Sequence, residues 1–124
     1  MLYEQTERKG LINVKLVNLT PHDVVIYNEK GEVIKTYPKT GKVARIQDDV
    51  TITGEIDGVP VGSITYGEPI DLPDPQDGVN YIVSLVVRQA LPHRKDLLSP
   101  DTSPAGAVRD EQGRILGTTR FISN

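Results

Sequence analysis

The stretch Val50–Tyr66, VTITGEIDGVPVGSITY, alternates apolar and polar residues on both sides of Asp57-Gly58. A period of two around a turn dipeptide specifies a β-hairpin; a helical face would repeat its apolar positions every three to four residues instead. Pro60 lies inside the second run. Proline has no N–H to give to a ladder, so that run belongs on an edge strand or at a bulge.

The same punctuation recurs along the chain. Val24–Tyr27 and Val33–Tyr37 flank NEKGE, whose asparagine and glycine suit a tight reversal. Leu11–Val17 and the segment KVARI, Lys42 to Ile46, also read as strands, and AVRDEQGRILGTTRFIS reads as a hairpin around DEQG that buries Ile115, Phe121 and Ile122. Gly67–Asn80, rich in proline and acid, reads as a surface connection. Tyr81–Leu91, YIVSLVVRQAL, is the most apolar stretch, and its first half is a buried strand. Two readings of its second half stand. Ser84 caps a short helix over Leu85–Leu91 that Pro92 stops, or the β-branched Val86 and Val87 continue the strand.

A chain of 124 residues is about one domain. The expected architecture is therefore mainly β, with α+β as its variant: one compact domain of antiparallel hairpins over residues 11–124, at most one or two short helices, and an N-terminal tail over residues 1–10.

The chain holds 14 basic and 17 acidic residues, a net charge of −3. That balance argues against a general nucleic-acid or membrane-surface binder, which needs a dominant basic surface. Without cysteine there is no disulfide framework, thiolate metal site or cysteine nucleophile. No run has the length of a signal-peptide core or a membrane span, so a cytoplasmic protein is expected.

Against the acidic background, Lys35, Lys39, Lys42 and Arg45 stand together with no acid between them. The spacing is not that of a Walker loop: no glycine stands five residues before Gly41, and Val43 follows Lys42 where a hydroxyl is required. Gly41 nonetheless allows backbone N–H groups to converge on an anion, and Arg45 can fork onto phosphate oxygens. The competing reading is a solvated turn. A second basic cluster, Arg88, His93, Arg94 and Lys95, either complements a helix C-terminus or joins Arg109 and Arg114 in one pocket.

His22 and His93 are the two histidines. Facing each other across a phosphodiester they would serve as acid and base, but the H-x-[ST] pair of two-histidine phosphoesterases is absent. No metal-ligand spacing and no G-x-S-x-G elbow occurs, so neither a metal site nor a serine hydrolase is expected.

Taken in order and spacing, NLTPHDV, PKTGKVARI, YIVSLVVRQALPHRKDLLSPD and AVRDEQGRILG resemble a group of small proteins of actinobacterial and other bacterial genomes and of their phages and prophages. The resemblance covers nearly everything after residue 15, and the members of that group carry no assigned activity. It touches Thr20, Pro21, His22, Gly41, Ala44, Arg45, Ser84, Asp96, Arg109, Asp110 and Gly113. The group more often has an acid where this chain has His93, which weakens the two-histidine enzyme.

Three classes of function are compatible with these features. The leading expectation is a phage-associated protein that sequesters a small phosphorylated ligand of nucleotide type, a host immune signal such as a cyclic nucleotide or an ADP-ribose derivative. Its binding residues would come from Thr20, His22, Tyr37, Lys39, Thr40, Lys42, Arg45, Tyr81, Ser84, Arg88, Arg94, Arg109 and Arg114. Arginines would neutralise phosphate, threonines would bond ribose or phosphate oxygens, and a tyrosine would stack on a base. No cofactor is needed, and neither nucleic acid nor membrane is an expected partner. A small β domain offers limited depth, so a homo-oligomer, dimer or higher, is expected. The alternatives are an interaction or structural module without a small ligand, and a metal-independent phosphodiesterase using His22.

Overall fold

The computed structural model describes residues 15–124; the expected tail over residues 1–10 and the first part of the Leu11–Val17 strand lie outside them. In chain order the described elements are β1 (Lys15–Asn18), β2 (Val24–Tyr27), β3 (Val33–Tyr37), β4 (Arg45–Ile56), β5 (Val59–Ile70) and β6 (Val79–Ile82). There follow α1 (Leu85–Ala90), β7 (Leu97–Pro100), β8 (Ala107–Arg109), β9 (Ile115–Thr118) and β10 (Phe121–Ser123). The fold is mainly β, with one short helix among the described residues.

Among the described residues one four-stranded sheet has the order β3-β2-β9-β8 and a second the order β10-β7-β6-β1, while β4 and β5 pair with each other and with no other described strand. The hairpins β2–β3, β4–β5 and β8–β9 are antiparallel, as their turn residues require. Parallel pairs add to them: β1 with β6, β6 with β7, and β2 with β9. These strands are distant in sequence or joined through a helix, so no tight turn constrains their direction.

The parallel strand β6 explains the apolar run at Tyr81. A strand flanked by neighbours and covered on both faces carries a continuous apolar sequence, and Tyr81, Ile82 and Val83 are all buried. Leu19, Ala44, Val87 and Leu97 join Tyr81 and Val83 in the core, with Val17, Ile46, Leu72, Val79 and Leu91 packed against them. Burial of an aliphatic side chain such as Ile82 or Leu97 stabilises the fold by roughly 2 kcal/mol. After β6 the chain turns helical. Ser84 is extended (φ −67°, ψ 159°) and its Oγ accepts the Val87 N–H at 3.3 Å, so the capped-helix reading holds and the β-branched pair enters the helix.

Two expectations need correction. Ile115 and Ile122 are not core residues: they are 48% and 37% exposed. KVARI and VTITGEI are not separate strands either, for β4 runs unbroken from Arg45 to Ile56 and β5 extends to Ile70, absorbing the start of the expected Gly67–Asn80 connection. At their turn Asp57 and Gly58 both have positive φ, 53° and 78°. This backbone matches the right-handed twist of long paired strands. Among the described residues no helix is long and apolar enough to cross a membrane.

Candidate functional site

Asn18, at the end of β1, is buried and organises the segment NLTPHD. Its Nδ2 donates to the carbonyls of His22 (2.9 Å) and Tyr37 (2.8 Å), and its Oδ1 accepts the Thr20 N–H at 2.9 Å. The Thr20 hydroxyl lies 2.7 Å from the same Oδ1. Thr40 donates its hydroxyl to the Asn18 carbonyl at 2.9 Å, and the Ala44 N–H donates to the Leu19 carbonyl at 3.0 Å. One amide side chain thus fastens the His22 turn to the end of β3, while the adjacent backbone holds the loop Pro38–Ala44. Every buried polar atom satisfied in this way avoids a desolvation cost of about 1–3 kcal/mol.

These bonds also answer what the basic loop does. The N–H of Lys39 donates to the Asp23 carboxylate at 2.9 Å, and the N–H of Lys42 to the Thr40 hydroxyl at 3.3 Å. Gly41 has φ 91°, the left-handed conformation the loop needs. With the Lys39 and Lys42 N–H groups engaged and a carboxylate alongside, the loop is a braced turn.

The turn it braces forms one wall of a cleft of about 380 Å³ at the seam of the two sheets. Val24 and Val25 of β2, Val83, Leu85 of α1, and Ile115 and Leu116 of β9 give it apolar walls, with Thr20, His22, Asp23, Ser84 and Thr102 as polar groups. Leu85, Ile115 and Leu116 are each almost half exposed here. A mostly apolar cavity of this size with a few polar groups has the make-up of a small-molecule site. A second groove shares Thr20 and Ser84 with it and continues past Pro21, Val43 and Val86 to Arg45. A third, on another part of the surface, is lined by Lys15, Leu16, Val17, Tyr37, Pro38, Lys39 and Thr40.

The expected site residues are therefore divided. Thr20, His22, Ser84 and Arg45 come together around the two adjoining grooves, whereas Tyr37, Lys39 and Thr40 line the separate one. Lys42 lines none of the three. Tyr81 is 2% exposed, its ring in the core, so it is unavailable as a stacking platform.

The remaining arginines of the expected site are paired within the chain. Arg88 donates to Ser99 Oγ (2.8 Å) and to Asn124 Oδ1 (3.1 Å), while Asn124 Nδ2 donates to the carbonyls of Arg88, Leu91 and Arg94 and so closes the end of α1. Arg94 forms a two-pronged pair with Asp96 at 2.8 and 2.7 Å. That hydrogen-bonded pairing raises the Arg94 pKa and lowers that of Asp96. Arg109 donates to the Gly113 carbonyl and Arg114 to Asp110, both inside the β8–β9 turn. Asp110 lies below the usual carboxylate range chiefly because the Arg114 backbone N–H bonds to it. Arg88, Arg94, Arg109 and Arg114 thus each bond a carbonyl, hydroxyl, amide or carboxylate of their own surroundings, and none of them lines the two grooves around Thr20 and Arg45.

What the sequence did not reveal is the apolar half of the cleft. Leu85, Ile115 and Leu116 meet Val24 and Val83 only through the pairing of β9 with β2, a long-range parallel contact without a local signature. His93 does not line the cleft. Among the described residues no group of three or more His, Asp or Glu is placed to hold a metal ion. No family model, no curated protein and no solved structure matches this chain.

Proposed function

We propose that this protein is a binding protein that captures a small phosphorylated ligand of nucleotide type across the two adjoining grooves. The observation that carries the reading is the shared wall of Thr20 and Ser84, with an exposed aliphatic cleft on one side and Arg45 on the other. A ligand with a flat, weakly polar ring and an anionic phosphate has the same two halves. The ring would lie against Leu85, Ile115 and Leu116, and the phosphate against the Arg45 guanidinium, which forks onto two oxygens. Thr20 and Ser84 would bond the sugar between them, and His22 would donate or accept at the cleft mouth.

The resemblance to bacterial and phage proteins supplies the context: capture of a nucleotide signal of host immunity. Cleavage is less favoured, because His22 has no second histidine beside it in the cleft. The test is depletion. The purified protein is incubated with cyclic dinucleotides and cyclic ADP-ribose isomers, and the free fraction is chromatographed before and after heat denaturation. Capture removes one ligand from solution and returns it intact on heating. Return as a product would make the protein an enzyme, and no depletion of any candidate would refute a nucleotide site.

A further inference from the structure

Among the described residues the β4–β5 hairpin is longer than any other element, and almost all of it is exposed. Its two 12-residue strands would span roughly 40 Å. At its base Ile46 packs against the core and Pro69 is half-buried, whereas Gln47–Ile56 and Val59–Glu68 are exposed throughout. A two-stranded hairpin with nothing on either face is marginal in water. This one is also unusually apolar. Cross-strand partners share a face, and the register pairs Val50 with Ile64, Ile52 with Gly62 and Asp48 with Tyr66. Gly62 leaves room for its neighbours: a Cβ there would lie 2.9 Å from Val50 Cγ1 and 3.4 Å from Ile52 Cδ1. Val50, Ile52, Ile64 and Tyr66 are 65%, 62%, 54% and 44% exposed. Beyond a register shift between Ile52 and Gly54, Ile56 pairs with Val59, both also exposed.

We propose that this arm docks on a second copy of the same chain, with its aliphatic face in the groove formed by Lys15, Leu16, Val17, Tyr37, Pro38 and Lys39. Charge selects the occupant. From Arg45 to Ile70 the arm carries Asp48, Asp49, Glu55, Asp57 and Glu68 against the single base Arg45. The groove has an apolar floor and a basic rim of Lys15 and Lys39, and Lys35 Nζ stands 5.5 Å from the Tyr37 ring centroid. Apolar centre meets apolar centre, and acid meets base around it. Pro60, Pro69 and the two register shifts interrupt the outer edges of the hairpin, which favours docking by a face over strand addition.

Sedimentation equilibrium of the full chain at high micromolar concentration tests this. The expected mass is at least twice the 13.6 kDa of one chain. The double substitution Ile52→Lys with Ile64→Lys should give a 13.6 kDa species with an unchanged circular dichroism spectrum, because both side chains are exposed in the single chain. Lys15→Glu with Lys39→Glu should raise the dissociation constant at least about tenfold. A monomeric wild-type protein would overturn the proposal and leave the arm to a different protein or a lipid surface. Retention of the wild-type association by either double variant would overturn it equally. Neither readout depends on a nucleotide, so a failure here is distinct from a failure of ligand capture.

Discussion

The Nε of Arg120 lies 2.6 Å from Oδ2 of Asp101, and the Asp101 N–H donates to the Arg120 carbonyl at 3.0 Å. Side chain and backbone of one residue pair therefore fasten the end of β7 to the corner between β9 and β10, where the chain passes from one sheet to the other. Thr118 completes the corner, its hydroxyl lying 2.8 Å from the Asp101 carbonyl and 2.9 Å from that of Arg120.

This corner should be acid-sensitive. Hydrogen bonds from Ser103 and then the Arg120 guanidinium hold the Asp101 carboxyl down to about 2. A carboxyl depressed in the folded state stabilises it above the unfolded pKa of about 3.9, and that stabilisation is lost as pH falls through the folded value. The Tm should therefore drop between about pH 4 and pH 2 in the wild-type protein, and the drop should be smaller in Asp101→Asn. Thermal melts at a series of pH values check this. An equal drop in both proteins would remove Asp101 from the account.

Asn18 should matter more for stability than any basic residue of the loop it anchors. Asn18→Ala removes the Nδ2 donor to the Tyr37 and His22 carbonyls and the acceptor of the Thr20 N–H, and a loss of roughly 2–4 kcal/mol is expected in urea unfolding. Lys42→Ala should change stability by less than about 0.5 kcal/mol.

The contrast between Asn18 and the arginines shows what the sequence could disclose. Hairpins were legible because their turn residues are local: Asp57-Gly58 and the Asn28–Glu32 loop dictate their own reversals. The Ser84 cap was only one of two readings, because the β-branched Val86 and Val87 spoke equally for a strand. The contact at the helix start decided it: Ser84 Oγ accepts the Val87 N–H. Parallel pairing of β2 with β9 was not, since it depends on which distant strand fills the space beside Val24–Tyr27. Arg88, Arg94, Arg109 and Arg114 had the composition of an anion site, yet Arg109 and Arg114 bond within their own turn, and the Ser99, Asn124 and Pro73 partners of Arg88 and Arg94 are set by tertiary contacts. Thr20, His22 and Ser84 were singled out from the chain; the aliphatic walls that give them a cleft came only with the fold.

Two arginines, each paired with an aspartate close in sequence, should behave differently. Arg94→Ala strands the largely buried Asp96 carboxylate and should cost roughly 3 kcal/mol, whereas Arg114→Ala breaks a pair whose arginine is 76% exposed and should cost under about 0.5 kcal/mol. Urea denaturation of both variants separates the two roles.

Gly117 should resist substitution for a geometric reason. A Cβ at this position would run into the Val25 carbonyl and the Tyr27 ring on the neighbouring strand. Gly117→Ala should destabilise the fold by roughly 1–3 kcal/mol, visible as a lower urea midpoint. Gly54→Ala, where a Cβ meets nothing within 4 Å, should have a far smaller effect.

The most direct test of ligand capture is the depletion experiment run side by side on the wild-type protein and Arg45→Ala, with a melting curve for each. Arg45 is exposed, so the variant should fold with nearly the wild-type Tm. The expected result is that the wild-type protein removes one cyclic nucleotide or ADP-ribose derivative from solution and releases it intact on heating, while Arg45→Ala leaves it free. Equal depletion by the two proteins would contradict the placement of the phosphate on Arg45, and depletion by neither would contradict capture itself.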